Sequence, residues 1–315
     1  MPQPGTVSVT EPVGQAIERV KRALFRPFDL GKWFTIGFCA WLAHLGESGG
    51  TFNFNKFGSR HDGRSPREEL DRAWNFVMTN LAWIVPLAIT LLVIGVAVGV
   101  VMVWVSSRGK FMFLHCVALE KAEIDVPWYK FAREGNSLFL FRLVLALIGS
   151  VLMLPLVAGA VVLVLKMVRH GEFDVHVILV LVGVVVVLVA VGTVFFVIAK
   201  LTTDFVVPIM FLRGNKCMEA WRELQGLMSA NLGQFVLYLL FQIVLAMATG
   251  ALVLIAILAT CCLAGCLMIL PYVGTVVLLP VLMFKRAYSL HYLAQYGPGY
   301  DVFPSASPPP VAQGL

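Results

Sequence analysis

The sequence predicts an all-α fold: a polytopic integral membrane protein of six transmembrane helices, arranged as three hairpins with amphipathic interfacial helices. Three observations predict it. Hydrophobic residues make up 59% and charged residues 13% of the 315 positions, with a mean hydropathy of +0.86, whereas soluble domains carry about 25% charged residues. No charged residue occurs from Leu224 to Phe284. As one helix that run would reach about 90 Å, roughly three times the hydrocarbon thickness, so it must fold back. The formal net charge of +6 fits loops that face the cytoplasm and anionic headgroups. No basic stripe with interleaved aromatics stands clear of the apolar runs, which excludes nucleic acid as a partner.

Residues 1–14 read as a disordered tail, followed by a membrane domain over 15–296 and a Pro-rich disordered tail over 297–315. Residues 1–30 hold no apolar run with a small-residue cleavage site, so the first membrane segment has to act as the insertion signal. Gln15–Arg26 predicts an amphipathic helix, with Ala16, Val20, Ala23 and Leu24 on one face and Arg19, Lys21, Arg22 and Arg26 elsewhere. Pro27 ends it, and Asp29 is the N-cap expected for the next helix. The segment Asp29–Leu45 is short for a span. If it crosses, Lys and Arg divide 17 inside to 7 outside; if it does not, they divide 12 to 12. The positive-inside rule favours crossing, with the N-terminus in the cytoplasm.

Residues 47–80 form the long outer loop, in which Ser65-Pro66-Arg67-Glu68 predicts a capping box and a short helix with Leu70, Ala73, Trp74 and Val77 on one side. Span two is Leu81–Val105, with Trp83 and Trp104 near its ends. Residues 106–135 are expected to be cytoplasmic and basic, with Pro127-Trp128 opening a short helix. Span three runs from Ser137 to Val168 around Pro155, span four from Val177 to Ala199, span five from Asn231 to Ala264 and span six from Tyr272 to Leu290. Both termini then lie in the cytoplasm of a cell-membrane protein.

Three junctions share a pattern: AIERVKRALFRPFDLGKW (16–33), PWYKFAREGNSLF (127–139) and EAWRELQGLMSANLGQF (219–235). Each has a basic helical stretch, then Asp29, Asn136 or Asn231, then an aromatic and a span. A polar residue there would cap the orphan N–H groups of the incoming helix, which lipid cannot satisfy. On this pattern the chain is an internal repeat of three two-span units.

The stretch DFVVPIMFLRGNKCMEAWRELQGLMSANLGQFVLYLLF (204–241) resembles bacterial and archaeal six-span membrane proteins related to the membrane domain of glycerophosphodiester phosphodiesterases. YciC-like inner-membrane proteins are similar to it as well. Asp204, Pro208, Ala220, Asn231 and Phe235 carry the resemblance. It implies a fold and a membrane location; the soluble phosphodiesterase domain is absent, so that activity does not carry over.

Lys200 and Asp204 stand i, i+4 at the inner end of span four, where an interfacial pair ending the helix before Pro208 outweighs a polar pathway. Arg142 can snorkel. Gln234 and Gln242 share a face of span five and suit interhelical hydrogen bonds. His44 reads as a headgroup-level histidine. Cys39, Cys261, Cys262 and Cys266 lie in apolar stretches as packing residues; for the last three a disulfide or a thiolate metal site is the alternative, the metal lacking a full ligand set. His170, Glu172, Asp174 and His176 in the outer turn read as a solvated loop ahead of a weak divalent site.

No catalytic residue, cofactor or metal is expected. The role expected is non-enzymatic, organising or regulating partners or lipids at the inner leaflet. Its partners would be the bilayer, through anionic headgroups, and a membrane protein. The alternative is a transporter or lipid-translocating protein, with Lys200, Asp204, Arg142 and Asn231 around a polar cleft. A cavity lined by Asn231, Gln234 or Gln242 would favour it.

Overall fold

The computed structural model describes residues 7–45, 66–170, 175–260 and 270–303, and among them it is helical, with no strand beyond an isolated bridge between Phe25 and Phe28. The helices are α1 (Glu11–Phe25), α2 (Leu30–His44), α3 (Pro66–Thr79), α4 (Leu81–Leu119), α5 (Asp125–Lys130), α6 (Ala132–His170) and α7 (Val175–Leu201). A π-helical turn (Thr202–Val206) leads into α8 (Val207–Arg213), and α9 (Cys217–Ala230), α10 (Leu232–Ala259), α11 (Pro271–Val277) and α12 (Leu279–Ala294) follow. Ser65, residues 171–174 and Cys261, Cys262 and Cys266 lie outside the described residues.

Four helical stretches among the described residues are long and apolar enough to cross a membrane: Leu81–Leu119, Ala132–Val168, Val175–Arg213 and Leu232–Ala259. They mark the chain as a membrane protein. Their large side chains face outward, Val151 at 72% exposed and Met247 at 71%, an arrangement that water would penalise and hydrocarbon does not. The expected first and sixth spans are not among the four. α2 has 15 residues, a rise of about 22 Å against a hydrocarbon core of about 30 Å. The sixth expected span is split at Leu278 into α11 and α12, because Pro280 cannot donate the helical N–H.

The chain forms two compact units. One comprises residues 1–45, 104–139 and 201–315, the other 46–103 and 140–200. In the second unit α3 covers Pro66–Thr79, with Trp74 and Val77 exposed.

In the first unit α1 packs against α12. Ala16, Ala23 and Leu24 are fully buried. The backbone N–H of Ser8 donates to Gln295 Oε1 (2.7 Å), Gln295 Nε2 donates back to the Ser8 carbonyl (2.9 Å), and Tyr288 Oη donates to the Val9 carbonyl (3.0 Å). α1 begins at Glu11, and residues 298–300 form a 3₁₀ turn.

Arg19 departs from the expected exposed face, being only 8% exposed. Its Nε donates to the Val117 carbonyl (3.1 Å), its Nη2 donates to the Ala118 carbonyl, and Nη2 lies 3.5 Å from Glu120. Those carbonyls belong to the last turn of α4, which has no helical donors left and carries the negative end of the helix dipole.

α4 also runs past the expected end of span two at Val105. The helix runs 39 residues to Leu119, and every residue from Ser106 to Ala118 except Arg108 is buried. The run Phe111–Leu114 supplies the reason: four large apolar side chains in a segment whose Lys and Arg content had suggested a loop.

The three junctions adopt three different local structures. Asp29 does cap α2, Oδ1 accepting from the N–H of Gly31 (2.8 Å) and of Lys32 (3.4 Å). Asn136 caps nothing, because α6 already begins at Ala132; its Oδ1 accepts from Trp104 Nε1 (3.2 Å) and Arg108 Nη2 (3.2 Å). Asn231 sits between α9 and α10 without capping the incoming helix; its Nδ2 donates to the Leu227 carbonyl (3.2 Å), closing the outgoing helix instead. α9 ends with open carbonyls, and Asn can donate to them where Asp could not.

Candidate functional site

The polar centre of the first unit is built on the π turn Thr202–Val206. Sequence reasoning ends the helix before Pro208, yet the chain stays helical to Arg213. In the turn the N–H of Val207 bonds to the Thr202 carbonyl. The next such bond would come from Pro208, which has no N–H. That leaves the Thr203 carbonyl open, and Arg286 Nη1 of α12 donates to it. Lys110 Nζ of α4 donates to Thr203 Oγ1 at 2.6 Å.

One residue on, Asp204 is 6% exposed and its Oδ2 accepts from Tyr238 Oη of α10 at 2.8 Å; Gln242 Nε2 donates to that hydroxyl at 2.8 Å. Aromatic rings close over this chain of bonds: Tyr238 lies 4.6 Å from Tyr292 and 4.9 Å from Phe205, centroid to centroid. Lys110, Asp204 and Arg286 are thus three buried ionisable side chains gathered on one irregular turn. Buried charges persist only with partners of this kind, and π turns recur at functional positions.

Of the positions singled out by sequence, Asp204 and Gln242 meet, through Tyr238. Gln234 takes part only by its carbonyl, which accepts from Tyr292 Oη (2.9 Å). Asn136 and Asn231 serve the local roles described above. Lys200 lies in the last turn of α7, and Arg142 lies half-buried on α6. His44 Nδ1 is 2.8 Å from the Ala40 carbonyl one turn earlier, and Cys39 is fully buried as expected of a packing residue. Among the described residues no group of three His, Cys, Asp or Glu side chains could hold a metal ion.

A second cluster lies where α1, α12 and the 3₁₀ turn meet. The Arg19 guanidinium stands 3.9 Å over the Phe303 ring, whose centroid is 4.2 Å from His291. Arg213 pairs with Glu223 (3.1 Å) and stacks on Tyr300. Burial, with Arg19 and Arg22 beside it and against the pull of Asp301, pushes the His291 imidazole down to about 4. It is neutral in the folded chain, while the unfolded chain binds its proton near pH 6.5. Below that pH the unfolded state holds more protons, so stability falls between pH 6.5 and about 4. Thermal melts in detergent should show a loss of about 1–2 kcal/mol across that window, the full value being reduced by solvent screening at a partly exposed ring. His291→Gln should flatten the slope; an unchanged slope would remove His291 as its source.

Residues 7–270 match DUF7544, a family of unknown function. The chain belongs to this family. No curated protein and no solved structure matches it. These comparisons give no support to a relation with phosphodiesterase membrane domains or YciC-like proteins. The DUF7544 match contains Lys110, Asp204, Tyr238 and Gln242 and stops before α11, so Arg286, Tyr288 and Tyr292 are contributed from beyond it.

Sequence reasoning missed Tyr238, Lys110 and Arg286. Tyr238 carried only a weak signal, a hydroxyl seven residues into a largely apolar helix that also holds Gln234 and Gln242. Lys110 and Arg286 carried none, since a cation flanking an apolar run reads as a loop or an anchor.

Proposed function

We propose that this DUF7544 protein resides in the cell membrane with both termini in the cytoplasm, where it organises or regulates partners or lipids at the inner leaflet without catalysing a reaction. One observation carries the reading. The three segments that build the first unit, 1–45, 104–139 and 201–315, each contain five Lys or Arg residues, and basic segments stay cytoplasmic. In this reading α1 and α9 are amphipathic helices whose exposed Lys21, Arg22 and Arg222 meet anionic headgroups. A cavity of about 380 Å³ is lined by residues of α2, α4 and α5.

Topology is tested with single cysteines in a cysteine-free background. Ser107 is buried and useless for labelling, whereas Tyr129 is 78% exposed. Tyr129→Cys should react with a membrane-impermeant maleimide only after cells are opened, and Ser48→Cys in intact cells. Labelling of position 129 in intact cells would overturn the orientation.

The transporter reading rests on the Asp204–Tyr238–Gln242 chain, since ionisable groups buried among apolar helices often mark ion or substrate paths. Its test is flux. A proton or solute current into proteoliposomes that Asp204→Asn abolishes would establish it over the first reading.

A further inference from the structure

The lining of the cavity noted above is chemically mixed. Leu42, Val105 and Met112 make one apolar part of its lining; Phe38, Trp128 and Tyr129 add aromatic rings; Asp125 adds a carboxylate. Asp125 is exposed at the start of α5, and among the described residues none donates to or pairs with its carboxylate. Trp128 is held in place from the other elements: its ring packs edge-on to Trp104 at 6.1 Å, and the Arg108 guanidinium lies 5.1 Å from its centroid. Arg108 is fixed in turn by Asn136 (3.2 Å). Aromatic walls beside one carboxylate attract an ammonium through the ring quadrupole and direct charge. An apolar part in the same cavity suits a hydrocarbon chain.

The geometry points to a binding site for a membrane phospholipid with an ammonium headgroup, seated between α2, α4 and α5. The ammonium meets Asp125, Trp128 and Tyr129, and an acyl chain runs along Leu42, Val105 and Met112. This deepens the inner-leaflet role proposed above, on which it rests, by naming a lipid class. It also separates two kinds of lipid contact on one unit: exposed Lys and Arg meet anionic headgroups without selection, whereas this cavity selects a cationic group.

Native mass spectrometry of the full chain in detergent tests it. Phosphatidylethanolamine and phosphatidylglycerol of matched chains are supplied at equal concentration. The unsubstituted chain should retain the ethanolamine lipid about ten-fold more than the glycerol lipid, a difference that needs no variant. Asp125→Asn should bring the ethanolamine lipid down to the glycerol level, Trp128→Ala should lower it by a similar factor, and Asp125→Glu should keep the preference. Equal retention of both lipids by the unsubstituted chain, or an undiminished preference in Asp125→Asn, would overturn the site. The topology assay at Tyr129 is read independently. Labelling as expected with no lipid preference removes the site alone, and labelling from outside with the preference intact removes the inner-leaflet role alone.

Discussion

Gly109→Ala is expected to unfold the first unit or lower its stability by about 3 kcal/mol or more. A methyl group at position 109 would lie 2.6 Å from the backbone nitrogen of Ala43, 2.6 Å from the carbonyl carbon of Leu42 and 2.8 Å from Leu42 Cβ. Two of these are backbone atoms, so no rotamer change relieves the overlap and α2 must move away from α4. That movement also breaks the hydrogen bond from Ser106 Oγ to the Ala43 carbonyl (2.8 Å). Gly95 is the control. Nothing stands within 4 Å of a methyl there, and Gly95→Ala should leave stability unchanged or raise it by about 1 kcal/mol through helix propensity. Thermal melts of both variants in one detergent measure the contrast, and equal melting temperatures would refute the close approach of α2 and α4.

Asp204→Ala should cost about 3–5 kcal/mol, the range for removing one partner from a buried charged network. It takes the carboxylate from a turn that two buried cations, Lys110 and Arg286, touch through Thr203. It also strips the Tyr238 hydroxyl of its acceptor. Tyr238→Phe removes two hydrogen bonds, the one donated to the Asp204 carboxylate and the one accepted from Gln242, and should cost about 1.5–3 kcal/mol. The double variant should lose less than the two single losses combined, because both act on the same bond. Melting curves of the four proteins decide it; strictly additive losses would mean that the 2.8 Å contact carries no shared energy.

The helical class and the four long apolar helices were legible because a lipid-facing helix must be apolar along its whole length, and that is a property of local sequence. Asp29 as a cap was legible for the same reason: its partners are two and three residues away. What failed depended on distant residues. Arg19 looked like a headgroup contact because its carbonyl partners lie about a hundred positions later in the chain. Asn136 and Asn231 matched Asp29 in sequence, yet α6 had already started and α9 needed a donor. Pro208 looked like a stop because nothing near it in sequence shows that Arg286 takes the carbonyl it leaves open. Asp204 and Gln242 stood out as polar residues in apolar surroundings, but they read as an interfacial pair with Lys200 and as an interhelical bond, not as one centre. The link between them, Tyr238, was hidden by its resemblance to an ordinary core aromatic.

The packing of α1 on α12 has a consequence for biosynthesis. A ribosome delivers α1 first and, among the described helices, α12 last. The faces of Ala16, Ala23 and Leu24, and the hydrogen bonds of Ser8 and Val9, therefore stay unfilled while the intervening membrane helices are inserted. The N-terminal helix emerges early and docks late. Completion of the first unit thus reports that the chain has been translated through Gln295, so a ribosome stalled within α10 leaves α1 exposed for proteases and chaperones to recognise.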